Sequence, residues 1–452
     1  MKDNSESVDK QAWERISASL RQQLEGYVKP LLVALDAQID SRLVRTVVLV
    51  IGAIIKLRHP GNGLVLSELG GYLLGPEQAP AGTKRISNLL RSKKWHFGMI
   101  ERFFWQEGDR RVAALHSSGE EALVVWDESV LEKPESRKLE GLCAVRSSKA
   151  KRLTHVKPGY YNPPRRPLFV PGMNWVGLLV MGMTGAPTVA AMRWWTTRGK
   201  LASDRRTEET KLLRSAFKRW GDQVLHIFDR GFAGAPWLKL LLGYRLRFVM
   251  RWQLNYQLLD AQGQKRKPWE ICRGKRSLGA HLLWDAKRRC HRAIGIYFTP
   301  VTHPDFPKTQ LWLVVSRQGA GRKPWYLLTN QPVDSVAQAI LLICAYARRW
   351  QIEMAWRYVK SDLAFQSPRL WSWDNRLKLL LLASLAYAFL LSLLAPLLDG
   401  LRTLLLRHWC HRTGERRRDA STPLYRLRSA LARLWAAFPA SPPHPYLRQN
   451  SG

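Results

Sequence analysis

The fold is decided by the stretch Val224-Leu-His-Ile-Phe-Asp-Arg-Gly-Phe232. Residues 224–228 are mostly apolar, which predicts a short buried strand that ends in Asp229. The next residues, Arg230-Gly-Phe, turn the chain toward a helix that begins near Pro236, because proline is favoured in the first turn of a helix. A buried strand followed directly by a helix predicts an α/β fold.

A second apolar run of the same kind lies earlier in the chain. The run Ala122-Leu-Val-Val-Trp126 predicts another buried strand, and it ends in Asp127. Carboxylates at the ends of strands in an α/β layer point into one crevice, where ligands and metals bind. Taken singly, an aspartate after a strand is more often a helix cap or a turn residue.

A third acidic residue lies in a stretch, 345–360, that predicts a single helix. At about 100° per residue, four polar side chains share one face of it, within about 60° of each other. The bland interpretation is a salt-bridged surface helix, with an acid pairing to arginines one turn away. The four side chains are Tyr346, Arg349, Glu353 and Lys360.

Three carboxylates in this order suit phosphoryl transfer with two metal ions. Oxygen ligands hold two hard divalent cations about 4 Å apart, which activates the attacking oxygen and stabilises the leaving one. Arg349 and Lys360 on the Glu353 face would then bind phosphates.

The same residues resemble a protein family, the bacterial insertion-sequence DDE transposases with the signature Tyr-x2-Arg-x3-Glu-x6-Lys. The signature is complete at Tyr346, Arg349, Glu353 and Lys360. The second-aspartate motif, Asp-x-Gly-Phe, matches residues 229–232, and the first is similar to Trp126-Asp-Glu-Ser129. The resemblance covers about 120 to 400 of the chain.

The resemblance implies an RNase H-like core with a metal-binding triad of Asp127, Asp229 and Glu353. Two Mg²⁺ ions, or Mn²⁺ in their place, would support cleavage at the element's ends and joining of the freed 3′-OH to target DNA. Such proteins act as dimers that bring two ends together. The remaining implied DNA contacts are Tyr346, Arg349 and Lys360 at the cleaved end. Arg230 in the second-aspartate motif is a further predicted DNA contact, and Trp252 is the candidate for stacking on a flipped base.

The composition agrees with a nucleic-acid partner. The 452 residues carry a formal net charge of +37 and a sequence pI near 10.6, an excess that a polyanion would neutralise. Double-stranded DNA is the predicted partner, and a membrane surface is the weaker alternative. Residues 141–203 contain no acid and ten basic residues, so this stretch suggests a loop that follows a DNA strand.

The chain divides by pattern into a helical beginning, an α/β core interrupted by strands, and a basic tail. The segment Thr83-Lys-Arg-Ile-Ser-Asn-Leu-Leu-Arg-Ser92 predicts a short helix capped by Thr83, and a preceding helix would make a helix-turn-helix DNA reader or a solvated face. The tail is arginine-rich, ends in a proline-rich segment and is expected to be partly disordered. The predicted segments are 1–115, a helical DNA-end-binding domain; 116–243, the first part of the core; 244–332, a β-rich insertion domain; 333–400, the second part of the core; and 401–452, the tail.

One segment, Leu379 to Leu398, runs twenty positions without a charge and is long enough to span a bilayer. Because it is the only such run, we expect a buried core helix and no membrane association. The five widely spaced cysteines form no Cys-x-x-Cys pair and suit a reducing cytoplasm, where a DNA partner places the protein at the nucleoid.

Three alternatives to an active transposase stay open at the level of sequence. A domesticated DNA-binding protein would keep the fold without cutting. A single-span membrane protein would be built around 379–398. A related nuclease or resolvase would cut without joining strands.

Overall fold

The computed structural model describes residues 3–57, 63–136, 138–147, 167–285, 290–319, 323–410 and 424–439. The chain forms two compact units. The helical unit comprises Met1–Phe103, Glu135–Glu140 and Arg357–Gly452, and the sheet unit comprises Phe104–Pro134 and Gly141–Trp356. The N-terminal and C-terminal segments, which were predicted as separate domains, therefore fall in the same unit.

The described residues contain thirteen α-helices. They are α1 (Asp3–Asp36), α2 (Ser41–Lys56), α3 (Leu66–Leu74), α4 (Ala79–Arg91), α5 (Gly98–Ser117), α6 (Arg205–Trp220), α7 (Ala235–Gly243), α8 (Pro268–Ile271), α9 (Val336–Ala347), α10 (Trp350–Ser361), α11 (Trp373–Ser392), α12 (Asp399–Trp409) and α13 (Leu424–Ala437).

The apolar run at 379–398 belongs mainly to α11, which lies inside the helical unit. This helix is long and apolar enough to cross a bilayer by length and composition, but 89% of its apolar window is buried in the protein. Even Arg376 and Lys378 on it are buried, and Lys378 donates to the carbonyl oxygens of Leu90 and Ser92. The prediction of a buried core helix is confirmed, although the helix ends at Ser392.

The predicted helix pair near residue 83 is present as α3 and α4, but Thr83 does not cap it. The helix α4 begins at Ala79, and the Thr83 hydroxyl donates to the carbonyl oxygens of Ala79 and Leu66. Gly70 and Gly82 meet where the helices cross, and a Cβ on either would overlap backbone of the other helix. On the outer face Lys84, Asn88 and Arg91 are exposed, while Arg85 is half-buried and donates to the Thr46 hydroxyl.

The tail beyond residue 400 is more ordered than expected. The helix α12 begins at Asp399, and α13 buries Leu427, Leu431 and Trp435 in the helical unit. The other predictions for the tail, and those for the basic loop at Lys149, Lys151, Arg152, Lys157, Arg165 and Arg166, lie outside the described residues.

The strands of the described residues form one twelve-stranded sheet. Its main path runs β2-β3-β1-β5-β6-β12-β11-β10-β7-β8, with β4 beside β3 and β9 beside β10. The strands are β1 (Leu123–Glu132), β2 (Cys143–Arg146), β3 (Phe169–Met181), β4 (Thr188–Trp195), β5 (Leu225–Phe228), β6 (Arg247–Arg251), β7 (Leu258–Leu259), β8 (Lys265–Arg266), β9 (Gly279–Asp285), β10 (Cys290–His303), β11 (Phe306–Arg317) and β12 (Trp325–Thr329).

The strands of the segment predicted as a β-rich insertion domain extend this sheet and do not form one of their own. Strand β6 lies parallel to β5, and β12 lies antiparallel to β6. The predicted boundary at 243/244 therefore falls between two neighbouring strands of the same sheet.

The centre of the sheet packs around one aromatic cluster. Trp126 of β1 points to the face opposite its neighbour Asp127, because successive side chains of a strand alternate. Its ring centroid lies 5.5 Å from that of Phe228 and 6.0 Å from that of Trp237 on α7. The Trp126 Nε1 donates to Nδ1 of His226 at 3.0 Å, which satisfies a fully buried indole.

The buried imidazole of His226 predicts a pH dependence of stability. Burial, with repulsion from Arg247, lowers the pKa of His226 from 6.5 to about 3. In the unfolded chain this imidazole takes up a proton near pH 6.5, whereas in the folded chain it stays neutral down to about pH 3. The free energy of unfolding therefore decreases as pH falls from about 6.5 toward about 3. His226→Gln keeps an acceptor for Trp126 and should flatten the urea-unfolding free energy in this window by up to about 1.4 kcal/mol per pH unit.

The control is His96→Gln, which removes an exposed imidazole. An acid slope that is the same in His226→Gln and wild type would contradict the prediction.

Candidate active site

The pairing of β1 with β5 brings the two predicted aspartates to one level. Leu123 pairs with Leu225 and Val125 with Ile227 in parallel register, and continuing that register places Asp127 beside Asp229. Neighbouring strands lie about 4.8 Å apart, and residues at one level of a parallel pair point to the same face. The sequence prediction that both carboxylates share one crevice agrees with this register.

The sequence predicted that the first strand ends in Asp127, but the structure shows Asp127 in the middle of β1. Strand β1 continues to Glu132 because β3 pairs with it antiparallel along its whole length, including Asp127 with Gly177. What ends near Asp127 is the neighbouring strand β5, at Phe228. The crevice therefore opens where β5 stops and β1 continues.

Asp229 is held by the turn that follows β5. Its Oδ1 accepts from the backbone N–H of Gly231, at the start of a short 3-10 helix over 230–232. The carbonyl oxygens of the turn are also bound: that of Gly231 accepts from Arg205, and that of Arg230 accepts from Gln253. The capping role that a strand-end aspartate usually plays is thus present and coexists with a place in the crevice.

The signature does not lie on one helix. The helix α9 ends at Ala347, two turn residues follow, and α10 begins at Trp350. The backbone N–H groups of Arg349, Gln351 and Ile352 bond to carbonyl oxygens three residues back, so the chain tightens between the helices. Tyr346 ends α9, Arg349 lies in the turn, and Glu353 begins α10.

The three carboxylates are coupled through space, with one arginine between them. Burial and repulsion from Asp229 and Glu353 raise the pKa of Asp127 to about 7, and Arg349 opposes this rise. Arg349 also forms an ion pair with Glu353, the pairing that the bland interpretation of this helix expected. The guanidinium is 12% exposed, however, so it belongs to a partly buried acidic site and not to an open helix surface.

Tyr346 lies next to the same site, in contact with Arg349. Its side chain is 3% exposed, lies 5.2 Å from the ring of Trp325, and has the Arg349 guanidinium over its face at 5.8 Å. Burial raises the pKa of its hydroxyl, against the attraction of Arg349 and Arg251. The Tyr346 hydroxyl thus lies next to the Arg349 side chain, and the two groups form one polar surface.

Within the described ranges, no three His, Cys, Asp or Glu side chains lie close enough to hold a metal ion as they stand. The donor chemistry nevertheless fits one. Three carboxylates that repel each other in a partly buried crevice supply hard oxygen ligands, and a divalent cation would relieve that repulsion. Asp127, Asp229 and Glu353 are the side chains that would hold it.

The other predicted residues lie in different surroundings. Arg230 is exposed at the rim, next to Asp229. Lys360 is half-buried in the last turn of α10 and belongs to the helical unit. Trp252 is 1% exposed and packs against Tyr256 and His303, so it cannot stack on a flipped base in this conformation.

Tyr256 is an exposed aromatic side chain of that region, at 45%. It lies beside Gly234 on the turn after Asp229. The sequence offered no signal that would separate it from the buried Trp252.

A charge cluster next to the aspartates, in which two partly exposed arginines cover the buried Glu209, was not predicted. Arg205 pairs with Glu128 at 2.6 Å and with Glu209 at 2.9 Å, and Arg206 also pairs with Glu209. Burial and the neighbouring Glu209 raise the pKa of Glu128 to about 9. Arg205 therefore links α6 to β1 and, through the Gly231 carbonyl, to the Asp229 turn. The pair of Arg205 with Glu128 joins residues distant in sequence, which is why no motif revealed it.

A second unpredicted residue, Arg348, precedes the signature arginine. Its guanidinium donates to the carbonyl oxygens of Gly182, Thr184 and Gly185 in the turn between β3 and β4. Glu120 accepts from the backbone N–H of Thr184 and fixes the same turn. Arg348 thus fastens the break between α9 and α10 to the sheet.

Part of the chain matches a known family model. Residues 192–389 match the family model described as a transposase DDE domain, a range that includes Asp229 and Glu353 but not Asp127. The search of curated proteins gave no match.

Among solved structures, the chain is similar to the piggyBac transposase in a synaptic complex with hairpin DNA, a cryo-EM structure. The identity is 13% and the TM-score 0.40, over 91% of this chain and 74% of that one.

Loss of the Arg348 anchor should destabilise the sheet unit. Arg348→Lys keeps the charge but cannot span three carbonyl oxygens, so the partly buried contact with Gly182 or the exposed ones with Thr184 and Gly185 are lost, and we expect a loss of about 1 kcal/mol in the free energy of unfolding. Chemical denaturation measures it. Arg110→Lys, at an exposed ion pair with Glu107, is the matched control and should change little. Equal stability of both variants would refute the anchoring role.

Proposed function

We propose that the protein is a DDE transposase that binds the ends of its element, cleaves the DNA there and joins the freed 3′-OH ends to target DNA. The observation that carries the proposal is the coupling of Asp127, Asp229 and Glu353 in one crevice of a sheet that continues into the matched transposase domain. The strand order β4-β3-β1-β5-β6, antiparallel on one side of β1 and parallel on the other, supports an RNase H-like core.

The three carboxylates would hold two Mg²⁺ ions, which supply activation of the attacking oxygen and stabilisation of the leaving one. The carboxylates themselves repel any DNA phosphate that approaches without a cation. Arg349, which now neutralises part of their charge, presents a planar donor group that binds phosphate as well as carboxylate. The Tyr346 hydroxyl lies next to Arg349 and would donate to a phosphate oxygen bound by that guanidinium.

DNA would be held over a wider surface than the crevice. Arg230 at the rim and the exposed side chains of α4 are cations or hydrogen-bonding groups that suit a phosphate backbone. Lys360 stays a predicted DNA contact on the strength of the signature. We further propose a homodimer that brings two ends together in the bacterial cytoplasm, at the nucleoid.

The second candidate is a DNA-binding protein that no longer cuts. The ion pair between Glu353 and Arg349 favours it, because that pair occupies a carboxylate that a metal site needs. The two candidates differ in one measurable activity, metal-dependent cleavage.

Cleavage of labelled DNA that carries the flanking ends of this gene tests the proposal. With Mg²⁺ or Mn²⁺, wild type should cut, and Glu353→Gln, Asp127→Asn and Asp229→Asn should each lose at least about 10³-fold in rate, because each removes a charged metal ligand. Asp222→Asn is the matched control, since this exposed acid precedes the opposite end of β5.

The outcomes separate the candidates. Strand-transfer products with an unlabelled target plasmid would distinguish a transposase from a nuclease. Binding without cutting by wild type would favour the non-cutting protein. Equal cutting by wild type and Glu353→Gln would exclude Glu353 from the site.

Duplex binding should weaken steeply with salt because the chain carries a net charge of +37. Bound lysines and arginines release counterions, so affinity should fall by orders of magnitude between about 50 and about 200 mM salt. Fluorescence anisotropy measures this, and Arg230→Gln should lower the slope of log affinity against log salt by about 1. A flat salt dependence would contradict binding through the phosphate backbone.

A further inference from the structure

We propose that the contact between Gly177 and Trp356 sets the distance of Glu353 from Asp127, which makes Gly177 and Trp356 positioning residues of the active centre. The inference rests on the proposed function, because it treats Glu353 and Asp127 as ligands of one metal site. Neither residue belongs to the signature or to the aspartate motifs.

Gly177 lies directly opposite Asp127 in the sheet. The two residues are partners in the antiparallel pairing of β1 with β3. Directly opposed residues of antiparallel strands project to the same face, with their Cβ atoms about 5 Å apart. The space that a Cβ of Gly177 would occupy is therefore the space immediately beside the Asp127 side chain.

Trp356 of α10 fills that space. A Cβ on Gly177 would overlap Cη2 and Cζ2 of the Trp356 ring, and on the other side it would lie 3.3 Å from the Ala191 carbonyl oxygen. The ring is 4% exposed and packs 4.5 Å from that of Trp175, which itself stacks on Trp194 at 5.6 Å. Glycine in a strand interior weakens the strand, and a close approach by another element is the usual reason for it.

The same helix face carries Glu353. Glu353 and Trp356 are three residues apart, so they lie on neighbouring turns of α10, about 4.5 Å apart along its axis. The depth at which Trp356 rests on β3 thus determines how near the Glu353 backbone comes to β1. Arg348 holds the other side of Glu353 on the turn between β3 and β4, so the helix start has two points of attachment to the sheet.

A methyl group at position 177 should move this helix. Van der Waals contact requires about 3.5–4 Å between carbon atoms, so the Trp356 ring must recede by roughly 1 Å in Gly177→Ala. A misplacement of about 1 Å in a catalytic constellation costs about 10²-fold in rate. Trp356→Phe removes the atoms that the methyl group meets and should relieve the strain.

The experiment compares wild type, Gly177→Ala, Trp356→Phe and the double variant Gly177→Ala/Trp356→Phe. Two readouts are taken on the complex with end DNA: the rate of metal-dependent cleavage, and the affinity for Mn²⁺ by electron paramagnetic resonance. We expect Gly177→Ala to lose about 10²-fold in cleavage and to bind Mn²⁺ more weakly. The double variant should recover at least about tenfold of the lost rate. Gly295→Ala in β10 is the control for the loss of a glycine from a strand. Its added methyl group would come closest to the hydroxyl of the Ser277 side chain and does not approach α10.

The rescue distinguishes positioning from a general loss of stability. Wild-type cleavage and Mn²⁺ affinity in Gly177→Ala would overturn the inference. So would a double variant as defective as Gly177→Ala, because the defect would then not arise from the contact. If wild type neither cuts DNA nor binds Mn²⁺, the proposed function itself fails, and the inference fails with it.

Discussion

The parallel pairing of β1 with β5 is the constraint on which the site depends. Only in this register do Asp127 and Asp229 reach one level on one face, with the aromatic cluster of Trp126 and Phe228 on the opposite face. A slip of one residue between the two strands would turn one aspartate to the face opposite the other. The hydrogen bond between Trp126, which precedes Asp127, and His226, in the middle of β5, ties the two strands together from the core side. The aromatic packing on one face of the sheet thus fixes the positions of the two aspartates on the other face.

Much of this arrangement could be predicted from local pattern. The strands at 122–126 and 224–228, the helix near Pro236 and the buried helix beginning at Trp373 all follow apolar periodicity, which reports burial directly. The pairing of strands could not, because periodicity says nothing of which strands are neighbours. That is why residues 244–332 were predicted to form a separate domain, although β6 continues the central sheet. Trp252 was misjudged for the same reason, since exposure depends on neighbours remote in sequence.

The site shows a similar division. The identities of Asp127, Asp229 and Glu353 came from motifs, and the structure brings them into electrostatic contact. The break between Ala347 and Trp350 was missed, because the residues around it are good helix formers and only the bonds of Arg348 to a distant turn explain it. The Tyr-x2-Arg-x3-Glu spacing therefore measures a helix end, a turn and a helix start rather than one helical face.

The entry and exit of the segment between β6 and β12 have a consequence for how the chain tolerates change. Arg251 and Leu327 are partners on adjacent strands, and the N–H of Trp252 donates to the carbonyl oxygen of Tyr326. The chain thus leaves the central sheet and returns to it one strand spacing away. The two ends of the intervening segment therefore lie about 5 Å apart, while the segment itself shares the hydrophobic core of the central sheet and contacts α9. Because the chain returns to the point at which it left, an exposed loop within this segment can change in length without altering the path of β1, β5 and β6, whereas its buried strands cannot be removed without opening the shared core.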